Sequence, residues 1–300
     1  MIVTKKHTCT GHNAAIYALC AGIQPRQWIS AGGDGWIVAW NHDDPETGHL
    51  LASVETQVFS LISLPKLNTL VAGNMNGGVH WINLSHPEQT RNIQHHQKGV
   101  YDLLKVENHV FSVGGDGILS RWDASTGRAL ESLHLSNKAL RCMVHSPGRN
   151  ELAIGASDGN IYLLDATTLS IKEVLKKAHD PSVFCLLYAP DGSKIFSGGR
   201  DAMLRLWNLQ TNTLEGSWPA HKYTVNHLAC SPDGRYLASA SRDRSIKIWD
   251  TQTVELLKVI DTIRYGGHVN SVNNILWMND GLISCSDDRT MAVWSIVDSQ

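Results

Sequence analysis

Seven copies of one nine-residue pattern run through this 300-residue chain at nearly constant spacing. The pattern is clearest as GGDGWIVAW from Gly32. It returns as GGDGILSRW from Gly114, ASDGNIYLL from Ala156, GRDAMLRLW from Gly199, SRDRSIKIW from Ser241 and SDDRTMAVW from Ser286. A weaker copy, NMNGGVHWI, begins at Asn74. The third position is Asp34, Asn76, Asp116, Asp158, Asp201, Asp243 and Asp288; the ninth is Trp40, Ile82, Trp122, Leu164, Trp207, Trp249 and Trp294. Successive ninth positions lie 42, 40, 42, 43, 42 and 45 residues apart. A period of that length, sustained from end to end, restricts the chain to architectures assembled from stacked supersecondary units.

Each unit carries the punctuation of four short strands. In the sixth, Pro232-Asp233-Gly234 separates two aliphatic runs, Arg242-Asp243-Arg244 separates the second from the third, and Asp250 to Gln252 separates the third from a fourth. The strands are apolar on both sides, and no helical periodicity competes with them. A lone four-stranded meander has two faces to cover and an exposed edge, whereas seven arranged radially cover one another. The expected fold is all-β: a seven-bladed β-propeller of four-stranded antiparallel blades, occupying residues 1–300 as a single domain. The last copy stops three strands in, while IVTKKHTCT precedes the first without a counterpart. Residues 1–10, from Ile2 to Thr10 in particular, are therefore expected to supply the outer strand of the last blade and close the ring.

The pattern resembles the WD-repeat (WD40) β-propeller family over essentially the whole chain. In that family a His before each blade, a Ser or Thr in the second strand, an Asp in the next turn and a Trp in the third strand form a hydrogen-bonded relay. Carried over by position, the resemblance implies five complete sets. They are His12, Ser30, Asp34 and Trp40; His96, Ser112, Asp116 and Trp122; His179, Ser197, Asp201 and Trp207; His221, Ser239, Asp243 and Trp249; and His268, Ser284, Asp288 and Trp294. The residue types suit such a chain: Trp only donates, ionised Asp only accepts, and Ser and His do both. The second copy has Val54, Ala72, Asn76 and Ile82 at these positions, and the fourth has Ser136, Ile154, Asp158 and Leu164. Both exchange Ser and Trp together, mainly for aliphatic groups, which avoids orphaning a buried polar partner.

Several function classes are argued against directly. Gly32-Gly33-Asp34-Gly35 is not a phosphate cradle, because no helix and no Lys-Ser or Lys-Thr pair follows. The six cysteines at 9, 20, 142, 185, 230 and 285 contain no Cys-x-x-Cys pair; they read as small buried hydrophobes in a reducing compartment. Neither a signal peptide nor a membrane-spanning run of apolar residues is expected. Lys plus Arg number 26 and Asp plus Glu 28, a balance that argues against polyanion binding as the main role. No metal or other cofactor is expected. A Ser-His-Asp set repeated five times is a poor nucleophilic triad, since an enzyme needs one reaction centre. Channel-lining positions, taken as Ile37 and Ile246, look apolar.

The expected role is that of a non-catalytic scaffold or adaptor for other proteins or peptides, without direct nucleic-acid or membrane binding. It is expected to act as a monomer within a larger complex, in the cytoplasm, with the nucleus as the alternative. A propeller enzyme with a central-channel site, or a subunit of a nucleic-acid-associated complex, are the competing readings. The resemblance further implies a binding face made by the residue before each relay Asp and the residues after each relay His. Here these are Arg200, Arg242 and Asp287, with Asn13, Asp180, Lys222, Tyr223 and Asn270. They concentrate in an arc over blades 5 to 7, while Gly33 and Gly115 leave the side of blades 1 and 3 bare. On the opposite face NHDDPETGH and SHPEQTRN are the longest expected loops.

Overall fold

Each repeat folds where its turns say it should. In the sixth, strands Val225–Cys230, Tyr236–Ser241, Ile246–Asp250 and Leu256–Ile260 pair in that order. The second strand is buried on both faces at every position after Tyr236. That is the burial a sheet acquires when it is sandwiched between two others. The computed structural model describes residues 1–298, so positions 299 and 300 of the expected domain lie outside the described residues. Among the described residues, seven four-stranded antiparallel sheets follow one another along the chain. The first strand of each blade adjoins those of both neighbours, and Ile16–Ala21 of blade 1 adjoins Val272–Met278 of blade 7. Seven radial blades therefore surround one axis.

The ring is closed by the two ends of the chain. Ile2–Cys9 pairs antiparallel with Met291–Val297 as the fourth strand of blade 7, with a bulge between Lys5 and His7. Val3 and Cys9 on this strand are buried. Cys9 packs in one apolar cluster with Trp40 and Val38 of blade 1 and with Met291 and Val293 of blade 7. Lys5 Nζ donates to the Gly266 carbonyl at 2.6 Å. The closing strand thus completes the fourth strand of blade 7 and joins the first blade to the last.

The turn inside the nine-residue pattern has a strict backbone demand. Gly35 has φ 74°, and a Cβ there would fall 2.1 Å from the Val54 carbonyl oxygen. Gly77, Gly117 and Gly159 meet the same left-handed requirement, whereas Ala202, Arg244 and Arg289 adopt it with a side chain in blades 5 to 7. On the opposite face, NHDDPETGH is mostly strand and not loop, because Asp44–Ser53 continues the sheet after a turn at His42 and Asp43. SHPEQTRN does form a loop, containing a short 3-10 turn at Pro87–Gln89.

All seven first strands share a feature that the repeat alone did not disclose. Each has a register shift at its second residue, namely Tyr17, Phe59, Tyr101, Arg141, Phe184, Asn226 and Asn273. Bulges of this kind release a residue from the ladder and re-aim its side chain. Here they raise one side chain per blade beside the central channel. Ile37 and Ile246 do not line that channel: they lie on third strands, at 0% and 1% exposure, between blades. The first strands also carry the polar residues Asp102, His227 and Asn274, each one place after the bulge residue.

Removing residues 1–9 should lower the thermal midpoint by about 10 °C or more, through loss of the blade 7 edge and of the Cys9 contacts. Circular dichroism melts of the full and shortened chains measure this, and an unchanged midpoint would show that the closing strand contributes nothing.

Candidate functional site

The relay side chains meet in space in all five complete sets. In blade 6, Trp249 Nε1 donates to Ser239 Oγ at 2.9 Å, Ser239 Oγ lies 2.8 Å from His221 Nε2, and His221 Nδ1 lies 3.0 Å from Asp243. The Ser–His distance is 2.8 Å in blades 1, 3, 5 and 7 as well. One proton arrangement satisfies every member: the indole N–H donates to Ser, the hydroxyl donates to Nε2, and Nδ1–H donates to the carboxylate. It requires neutral imidazoles. Burial favours that state, holding His12, His96, His179 and His221 below the ordinary histidine value against the raising influence of their aspartates. Burial alone would raise the Asp243 carboxyl, but hydrogen bonds from His221, Ser245 and the Lys222 amide together take it well below the usual carboxylate range.

Blades 2 and 4 rebuild the cluster differently. Tyr162 OH and Ser136 Oγ each donate to Asp158 Oδ2 at 2.6 Å. In blade 2 the anchoring side chain is Asn74, two residues before the expected Asn76. Its Oδ1 accepts the amides of Asn76 and Gly78, and its Nδ2 donates to Glu55 and lies 3.0 Å from His80 Nε2. The Ser and Trp positions themselves are filled by buried aliphatic groups, Ala72 and Ile82 in blade 2 and Ile154 and Leu164 in blade 4, as expected, and the polar contacts are supplied from other positions. His80 and Tyr162 occupy the third-strand position that holds Arg205 and Lys247 in blades 5 and 6. Arg205 Nη1 donates to Asp201 Oδ2 at 2.7 Å and to the Ala178 carbonyl at 2.8 Å, and Lys247 Nζ donates to the Ala220 carbonyl. Sequence reasoning missed this position. Its signal was a polar residue two places before the ninth in a strand that should be apolar throughout.

The relay also organises the face above it. Asp34 and Asp243 each accept the amide of the residue after the relay His, from Asn13 and Lys222 at 2.9 Å, and Asp201 accepts that of Asp180 at 3.3 Å. The residue before each Asp is held in turn by its own amide. Arg200 N–H donates to the Ser182 carbonyl, Arg242 N–H to Thr224 and Asp287 N–H to Ser271. Loop and turn are thereby locked together, and the candidate residues stand on fixed backbone. All eight side chains, those of Arg200, Arg242, Asp287, Asn13, Asp180, Lys222, Tyr223 and Asn270, are exposed on this face. Asp287 is partly committed, since its Oδ1 accepts from Asn273 Nδ2 at 2.7 Å.

The side of blades 1 to 4 is not bare. Gly33 and Gly115 give room to the raised aromatic rings: a Cβ on Gly115 would lie 3.1 Å from Tyr101 Cε2 and 3.0 Å from Lys98 Cβ. Tyr17 and Phe59 meet edge to face at 5.3 Å, and Phe59 and Tyr101 lie 5.7 Å apart. Arg141 continues the row into blade 4. Below it, Asp102 accepts the amides of Leu103 at 2.8 Å and of Met143, in the next blade, at 2.6 Å. Burial raises its carboxyl to about 7 against these two bonds. His227 is pushed down to about 4 by burial, and its Nδ1 has no partner. Among the described residues no group of three or more His, Cys, Asp or Glu is placed to hold a metal ion. None of their helices is long and apolar enough to cross a membrane.

Four segments, residues 3–41, 171–208, 212–250 and 258–295, match the family described as "WD domain, G-beta repeat", together just over half of the chain. The chain belongs to the WD-repeat family. The WD40 propeller domain of Doa1 superposes with a TM-score of 0.87 over 99% of this chain and 97% of that one, at 19% identity, which establishes the shared fold. Among curated relatives, a THO complex subunit 6 homolog from Danio rerio is 30% identical over 52% of this chain and 54% of its own length. A guanine nucleotide-binding protein subunit beta from Solanum tuberosum is 22% identical over 67% of this chain and 58% of its own length. Pre-mRNA-processing factor 17 from Saccharomyces cerevisiae is 27% identical over 56% and 34% respectively. The chain thus spans little more than half the length of the first two of these relatives.

Asp243→Ala leaves His221 Nδ1, Ser245 and the Lys222 amide without their acceptor, and should destabilise this WD-repeat protein by about 1–3 kcal/mol for each group left buried and unpaired. Denaturant titration measures it; a loss of stability under 0.5 kcal/mol would contradict a structural relay. Asp102 titrates with the opposite sign. Its folded-state carboxyl, at about 7 against an ordinary 3.8, favours folding fully below pH 3.8, and that contribution is lost as pH rises through 7. Melting midpoints of Asp102→Asn relative to the unaltered protein should therefore rise between about pH 4 and 7 and level off above that. A pH-independent difference would remove Asp102 from the account.

Proposed function

We propose that this WD-repeat propeller is a non-catalytic scaffold that holds a protein or peptide partner on the face carrying the relay turns, chiefly over blades 5 to 7. The observation that carries the reading is the pair of exposed arginines, Arg200 and Arg242, standing on turns fixed by amide bonds to the neighbouring loops. Arg and Tyr on a rigid base combine contact area with directional hydrogen bonding at low ordering cost. Apolar groups stand exposed on the same side: Tyr223 at 61%, Val269 at 56%, and Ile263 at 95% on the short helix Thr262–Tyr265. Lys222 and Arg264 adjoin Tyr223 and Ile263 in sequence, so exposed basic and apolar groups alternate along these loops, the composition of an interaction surface. Asp180, Asn13 and Asn270 extend the contact set towards the neighbouring blades.

The names of the relatives support work inside multi-protein assemblies: one is a THO complex subunit, another a G-protein subunit. We read this chain in the same way, as one propeller copy acting as a single unit within a larger complex. Relatives named for pre-mRNA processing and ribosome biogenesis favour a nuclear setting over the cytoplasmic one expected from the thiols.

Affinity purification from native extract tests the proposal, with the Arg200→Glu/Arg242→Glu double variant run beside the unaltered protein. The expected result is a co-purifying protein that the variant loses by tenfold or more at an unchanged melting midpoint, about 1.4 kcal/mol or more of binding. Equal recovery by both forms would reject the arc.

A further inference from the structure

Arg141 is the one cation among the seven side chains that the first-strand bulges raise around the channel mouth. Its guanidinium lies over the Tyr101 ring at 4.4 Å and over the Phe184 ring at 5.2 Å. Its Nε donates to Ser157 Oγ at 2.9 Å, and Ser157 Oγ is itself 3.0 Å from Ser182 Oγ of blade 5. Three contacts from three blades thus hold the plane of a normally floppy side chain. Among the described residues its two Nη atoms make no hydrogen bond, and no carboxylate lies within ion-pair distance. A planar fork fixed at one edge and free at its end is preorganised to receive a carboxylate through both Nη atoms.

We infer that Arg141 is the anchor of a second subsite on this face, one that seats an Asp or Glu side chain of an acidic partner peptide. The inference rests on the reading of this face as a protein-binding one, and it adds the partner's chemistry. Charge around the anchor has the matching sign. Lys98 and Lys138 occupy equivalent loop positions on blades 3 and 4, two residues after His96 and Ser136, and both are exposed. Next to the anchor, Tyr101, Phe59 and Tyr17 form a continuous half-buried row on which apolar side chains flanking the carboxylate can lie. Single-stranded nucleic acid fits less well, because stacking needs free ring faces. Arg141 already covers the face of Tyr101, and the edge-to-face pair of Tyr17 and Phe59 covers much of the rest.

The test is selection from a random 12-residue peptide display library on the unaltered protein and on Arg141→Gln, with a 15-nucleotide oligouridylate as a parallel probe. The unaltered protein should enrich peptides with Asp or Glu beside an apolar residue. The same peptides, synthesised and labelled for anisotropy, should bind Arg141→Gln about tenfold more weakly. Ser157→Ala, which keeps the charge and removes only the Nε anchor, should show a smaller loss; it also keeps the test available if Arg141→Gln does not fold. Absence of acidic enrichment, equal binding by both variants, or oligouridylate binding that depends on Arg141 without any selected acidic peptide would each overturn the inference. Those results leave the arc over blades 5 to 7 untouched, because it is judged by the Arg200/Arg242 variant alone.

Discussion

Every blade of this protein has two apolar faces, and no blade can bury both without a neighbour on each side. Closure of the ring is therefore the constraint on which the rest depends. Six blades are built from consecutive strands, but the seventh needs Ile2–Cys9 from the far end of the chain. That strand places Cys9 against the tryptophan and valine of blade 1 while pairing with blade 7. The most non-local strand pairing among the described residues is thus also the one that completes the last blade and ties it to the first.

Within each blade the hydrogen-bonded relay solves a second problem. Loops entering the blades and turns between second and third strands must be held rigid if their side chains are to recognise anything. The relay aspartate accepts from the histidine below and from the loop amide above, so one carboxylate ties core to surface. Blades 2 and 4 show that the requirement is for a satisfied polar cluster and not for particular residues: Asn74 with His80, and Asp158 with Tyr162, serve where Ser and Trp are gone. A half-kept relay would leave a buried donor unpaired, which explains why the members change together.

The bulged first strands divide one face into two chemistries. Over blades 5 to 7 the exposed groups are mainly basic and aromatic residues on loops and turns. Over blades 1 to 4 the bulge residues form an aromatic row ending in a clamped arginine.

The sequence by itself determined the blade number, the strand order and the strand that closes the ring. These follow from period, turn chemistry and the two-sided apolarity of short strands, all of which are local or repeat every 40 to 45 residues, while the relay residues came by position from the resemblance to the WD-repeat family. It also placed Arg200 and Arg242 on their turns by register alone. Only the tertiary structure decided where the bulges fall, because a one-residue slip in pairing leaves no mark on composition. It put Ile37 and Ile246 between blades and not in the channel, and it filled the space above Gly33 and Gly115 with rings from the neighbouring strands. It alone brought Arg141 between Tyr101 and Phe184, since those three residues belong to three different blades and meet only when the ring is complete.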